Sequence, residues 1–195
     1  WRGRRNKPTP TTKGYRMATS ETGAAYESLV RFDEHRIHAA AVYCSDGRFG
    51  DQFDDFLHHA LGLPRYDRLA LPGGAACLAS HFLAFHQEEN LIEQLRFLVA
   101  VHQLERVVLI AHQDCAFYTQ RLKISPERLE SQQRDDVQDA IERIRWFASE
   151  LQVDAFFARK LADGVIRFES LKAWMASTPG PTSAARPGAS LAAEE

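Results

Sequence analysis

Cysteine is scarce in this chain: three in 195 residues, at positions 44, 77 and 115. An odd, widely spaced set of that size is not a disulfide framework, so a reducing compartment, the cytoplasm, is expected. No apolar run approaches the roughly 18 residues that a membrane span requires. No charged-then-apolar leader opens the chain as given. Charge of one sign is also missing. The formal net charge is −2, which offers neither nucleic acid nor an anionic membrane a complementary field. What is present is the ordinary mixture of a globular protein, in a length suited to one domain.

The ends differ from the middle. Residues 1–16, WRGRRNKPTPTTKGYR, carry six basic side chains and no acid. The segment from Thr178, TPGPTSAARPGASLAAEE, has too little to bury to offset its ordering entropy. The organisation expected is a disordered or extension segment over 1–19, one α/β domain over 20–176 and a disordered tail over 177–195.

Within the body, apolar runs alternate with helical periodicity. IHAAAVYC (37–44) reads as a buried strand, DQFDDFLHHALGL (51–63) as a helix stopped by Gly62 and Pro64, and YDRLALPGG (66–74) as a short strand entering a turn. Leu91, Leu95, Leu98 and His102 recur at the helical period. ERVVLIAH (105–112) is the strongest strand, and its consecutive apolar residues imply burial on both faces. Ser125-Pro126 opens a helix as N-cap and first turn, followed by the stripe Val137, Ile141, Ile144, Ala148 and Leu151. Two apolar runs around the strong turn signal Asp163-Gly164 read in part as strand or hairpin. The pattern is that of an α/β fold with a mainly parallel central sheet flanked by helices.

In such sheets, sites gather at the carboxyl ends of the strands. Cys44 ends one expected strand and His112 ends another, with Cys115 three residues on. Two cysteines and a histidine form a borderline-soft set suited to zinc, and three protein ligands leave a fourth position open. Buried structural thiols are the competing explanation. Asp46 and Arg48 follow Cys44 at once. They read either as a fourth ligand with the cation that orients it, or as a solvated turn with an incidental ion pair. Cys77 reads as a small buried residue.

At these residues the sequence resembles the β-class carbonic anhydrases, whose signature is C-x-D-x-R at one strand end and H-x-x-C at a later one. Here these are Cys44-Ser45-Asp46-Gly47-Arg48 and His112-Gln113-Asp114-Cys115. The resemblance implies Zn2+ held by Cys44, His112 and Cys115, with Asp46 and Arg48 as a catalytic dyad. Asp46 would be a fourth ligand only in a closed state, and would bind Arg48 in an open one. It further implies reversible hydration of carbon dioxide to bicarbonate by zinc-bound hydroxide, and a homodimer or higher homo-oligomer. His58 and His59 are candidate proton shuttles. The family's Arg-Asn-Ala-Gly stretch is replaced by Leu71-Pro72-Gly73-Gly74, leaving Gly73 and Gly74 as the positions expected to approach substrate. Its glycine after the second zinc cysteine is Ala116 here. Two other functions compete: hydrolysis of carbonyl sulfide or carbon disulfide, and a non-catalytic zinc-binding role.

Overall fold

The computed structural model describes residues 26–79, 81 and 85–177. The expected terminal segments lie outside these, apart from Ser177. The chain divides after His35 into two units. Of the first, the described part is an exposed stretch in which Ser28 and Val30 close a small turn and the Asp33 carboxylate accepts from the His35 main chain.

The second unit is built on a five-stranded sheet of order β2-β1-β3-β4-β5. Its strands are β1 (Ala39–Cys44), β2 (Asp67–Leu71), β3 (Arg106–His112), β4 (Gln152–Lys160) and β5 (Ile166–Ser170). The first four run parallel, and β5 returns antiparallel through the expected hairpin. Alternation explains the wholly apolar reading of β1 and β3. Ala40, Val42, Val107 and Leu109 enter one core, while Ala41, Tyr43, Val108 and Ile110 enter the other.

The first core is covered by α2 (Phe85–His102) and α3 (Pro126–Phe147), with α4 (Leu171–Ala176) adding Trp174. The buried Trp174 ring stacks on Phe157 with centroids 4.5 Å apart, and its indole N–H donates to Glu130. In α3, Val137, Ala140 and Ile144 are fully buried. Each of the larger two contributes roughly 1.5–3 kcal/mol by leaving water. The second core is covered by α1 (Gly50–Asp55), whose Phe53 and neighbouring Leu57 are fully buried.

Two local expectations change. The helix read over 51–63 is α-helical only to Asp55 and then widens into a π-helical turn over Phe56–Ala60. The Leu61 amide bonds the Phe56 carbonyl, five residues back. The wider turn presents Phe56 to Phe168, stacked at 4.0 Å, while Leu57 stays in the core. Gly62 then ends the element in the left-handed region (φ 65°). Ser125 does occupy the N-cap of α3, with extended backbone and Pro126 behind it, but its hydroxyl makes no capping bond. Its carbonyl accepts from the Arg128 amide instead.

Candidate metal centre

Parallel pairing of β1 and β3 sets the site. The register matches Tyr43 to Ile110, so Cys44 and His112 leave the sheet at the same edge. The turn after β3 brings Cys115 back beneath them. Among the described residues, Cys44, His112 and Cys115 are all buried and place one candidate ligand atom each within 4.8 Å of the others.

The donor atoms fit a zinc ion. Two sulfurs each about 2.3 Å from one tetrahedral zinc stand about 3.8 Å apart, and the Cys44 and Cys115 sulfurs are 3.8 Å apart. His112 Nδ1 lies 2.8 Å from the Gln113 carbonyl, which only accepts, so Nδ1 carries the proton. That leaves the Nε2 lone pair, buried and without a hydrogen-bond partner among the described residues. A buried acceptor left unpaired is costly, and a metal ion is the partner that this nitrogen suits. Phe49 packs on the imidazole with ring centroids 4.4 Å apart, which limits its rotation.

The thiols are unequal. The S–H of Cys115 donates to Cys44, and the Gly73 amide donates to the same sulfur at 3.4 Å. Cys44 is therefore pulled down, chiefly by the Cys115 bond. Cys115, as the donor to a neighbouring thiolate, is pushed up. Cys77 lies outside this group. Its S–H donates to the Pro72 carbonyl, and burial raises it to about 11.

Asp46 is not within that ligand group. Its carboxylate is held by Arg48 through Nε at 2.9 and 3.1 Å, through Nη2 at 2.5 Å and through the Arg48 amide at 3.1 Å. The Arg48 side-chain bonds hold it down at about 2. Beside the pair is a cavity of about 200 Å³ lined by Arg48, Phe49, Gln52, Gln113, Asp114 and Lys160, among others. Larger grooves of about 560 and 660 Å³ lie elsewhere and contain none of the candidate residues.

Gly73 and Gly74 have a visible structural duty. Both adopt positive φ, 92° and 54°. A Cβ on Gly74 would lie 2.8 Å from the Cys44 amide nitrogen, and one on Gly73 would lie 2.5 Å from the Phe117 ring. They bring main chain against the end of β1 and an N–H against the Cys44 sulfur. Ala116 is exposed with ordinary right-handed backbone, so nothing there requires glycine. His59 is exposed and pairs with Asp55, and His58 is half-buried against Tyr66; neither lines the cavity beside Arg48.

Sequence reasoning missed Gln133. It lies fully buried in α3, and its amide donates to the His112 carbonyl at 2.9 Å. The available signal was a polar residue four before Val137, on the apolar face of an amphipathic helix.

Comparison with known proteins gives one family. The family described as "Putative carbonic anhydrase" matches residues 34–166. No curated protein matches. Among solved structures, a β-carbonic anhydrase isoform from Trichomonas vaginalis is similar at 16% identity over 74% of this chain and 87% of that one, with a TM-score of 0.43. A β-carbonic anhydrase of Aspergillus fumigatus is similar at 16% identity over 72% and 81%, with a TM-score of 0.39. One from Sordaria macrospora, described as tetrameric, is similar at 16% over 70% and 81%, also at 0.39.

Proposed function

This chain belongs to the carbonic anhydrase family that its residues 34–166 match, and from that premise we propose that it is a zinc-dependent lyase hydrating carbon dioxide reversibly to bicarbonate. One observation carries the reading. The buried donors of Cys44, His112 and Cys115 converge within 4.8 Å, with the Asp46–Arg48 pair on the turn that follows Cys44. Zinc, when bound, supplies a Lewis acid that brings the ionisation of water down to about pH 7.

The protein's own groups do the rest. Cys44 and Cys115 supply two sulfurs, and His112 supplies Nε2 in the tautomer set by its bond to the Gln113 carbonyl. Asp46, held near 2, is ionised at any working pH and can only accept a hydrogen bond. Its role would be to accept a hydrogen bond from water at the open side of the site and so orient that water toward substrate. Arg48 fixes where that carboxylate points and holds it outside the Cys44–His112–Cys115 group that would bind the metal. Gly73 supports the Cys44 sulfur through its N–H, and with Gly74 it shapes the wall that substrate would meet.

No helix among the described residues is long and apolar enough to cross a membrane, and the cysteines are free thiols. Both suit a cytoplasmic setting. Exposed Phe97 and Val101 on α2 and Trp146 on α3 suit a homodimer or higher homo-oligomer.

The test is stopped-flow hydration of carbon dioxide by zinc-replete protein beside Cys44→Ser and Asp46→Asn. We expect stoichiometric zinc in wild type and in Asp46→Asn, zinc loss in Cys44→Ser, and hydration by wild type alone. A wild type that holds zinc yet hydrates no faster than Cys44→Ser would sink the lyase reading. Turnover of carbonyl sulfide in its place would move the activity to the hydrolase.

A further inference from the structure

His112 must do two things at once: end β3 and aim Nε2. Its main chain shows how. The peptide that links His112 to Gln113 is gripped on both edges. Its carbonyl oxygen accepts from the Gln133 amide at 2.9 Å, and its N–H donates to the Ala158 carbonyl at 3.0 Å. The next carbonyl, that of Gln113, receives the imidazole Nδ1–H. The Gln113 side chain is pinned in turn, its Oε1 accepting from the Lys160 amide. One residue later Asp114 takes a left-handed conformation (φ 56°), and Cys115 follows. Rotation of the 112–113 peptide would therefore swing the ring through its Nδ1 bond and shift Cys115 through the strained turn.

Three of these holds come from the sheet or from the turn itself. The fourth comes from α3, and it is chemically odd. Gln133 is 1% exposed, among apolar neighbours such as Val137 and Leu129. Its Oε1 has no hydrogen-bond partner among the described residues. A methionine or leucine would fill this volume without burying an unpaired acceptor. What only the amide supplies is a directed N–H to the His112 carbonyl.

We propose that Gln133 is a positioning residue of the metal centre, acting through the His112 main chain to hold Nε2 and Cys115 in ligating geometry. This rests on the zinc reading above. Groups that orient a ligand typically alter metal affinity by about 10–100-fold when removed.

The test uses the full chain with Gln133→Met, which keeps the bulk and removes the donor, and Gln133→Asn, which keeps an amide too short to reach. Asp136→Asn is the comparison. Asp136 is equally buried in the same helix but bonds His81, Gln132 and the Tyr118 side chain, and makes no bond to the His112–Gln113 peptide. Zinc affinity is measured by chelator competition, the ligand field by the visible spectrum of the cobalt-substituted protein, and folding by melting of the zinc-free protein. Both Gln133 variants should bind zinc about 10–100-fold more weakly and show shifted cobalt bands, while Asp136→Asn changes melting and not the spectrum. Equal affinity and an unchanged cobalt spectrum in the Gln133 variants would overturn the inference and leave the proposed function standing. So would an equal loss of affinity in Asp136→Asn, or failure of both Gln133 variants to fold, since either makes the role a general structural one. A wild type without stoichiometric zinc would overturn the proposed function, and this inference with it.

Discussion

Replacing Gly74 by alanine tests whether the loop after β2 holds the metal edge of β1. Gly74 has φ 54°, and a Cβ there would lie 2.8 Å from the Cys44 nitrogen and the Tyr43 carbonyl carbon, and 3.1 Å from the Tyr43 Cα. Left-handed backbone costs a residue with a Cβ about 1–2 kcal/mol. The contacts add more, because the atoms met are main chain in a strand paired on both sides. Relief requires the loop to retreat or β1 to bend, so the expected loss is about 3–4 kcal/mol, at the upper end for single substitutions. For a domain of this size that lowers the melting temperature by roughly 6–15 °C. Two other glycines calibrate the effect. Gly164 has φ 87° but nothing within 4 Å of its would-be Cβ, so Gly164→Ala should show strain alone, about 1–2 kcal/mol. Gly50, at the start of α1, has neither problem, and its alanine variant should be neutral or slightly stabilising. Melting followed by circular dichroism gives the ranking, and zinc competition on the same samples should show weakened binding for Gly74→Ala only. A Gly74→Ala protein that melts no lower than Gly164→Ala, with wild-type zinc affinity, would refute the argument.

Arg48→Ala should leave zinc content unchanged and lower kcat for hydration, because Asp46 stays ionised near neutral pH but loses its direction. Since Asp46 is held at about 2 in the fold, its pairing contributes stability that is present above the ordinary aspartate value of about 3.9 and lost as pH falls toward 2. Acid melts of Arg48→Ala should therefore lack that part of the wild-type decline; identical acid profiles would speak against the pairing. His81 is raised by its bond to the buried Asp136, with further pull from Asp139. Its contribution is therefore full below the ordinary histidine value of about 6.5 and lost as pH rises through the higher folded value. Melting temperature should fall over that alkaline range in wild type and fall less in Asp136→Asn; equal slopes would remove His81 as the cause.

The parallel strands were readable because burial on both faces leaves an unbroken apolar run, and Cys44 and His112 were readable because such runs stop at the edge where side chains meet. The hairpin at Asp163-Gly164 announced itself through turn chemistry. Three features had no such signature. Widening from α to π at Phe56 accompanies stacking on Phe168, more than a hundred residues away. Ser125 looks like any N-cap serine, and only the observed backbone shows its carbonyl taking the bond its hydroxyl leaves unmade. Gln133 is one glutamine in the run Ser131-Gln132-Gln133; which of the two amides turns inward follows from the phase of α3 against β3. The glycines at 73 and 74 were legible as close-approach positions, but the partner visible in the fold is the Cys44 strand end.

The candidate ligands, the Asp46–Arg48 pair and Gly73–Gly74 lie at one edge of the sheet, at the carboxyl ends of β1 and β3 and on the segments that follow β1, β2 and β3. The opposite edge carries the segments entering the strands, at Gln103–Glu105 before β3 and Ala148–Leu151 before β4. At the first of these, exposed Arg36, Gln103 and Glu105 share ion pairs and hydrogen bonds that contribute little to stability. The fold thus separates a reactive rim from a permissive one. Inserted sequence beside the exposed Gln103, clear of the buried Leu104 and Leu151, lengthens a solvent-facing turn while the pairing of β1 with β3 carries the register through unchanged. A tag, a reporter or a new binding module has its natural point of entry there.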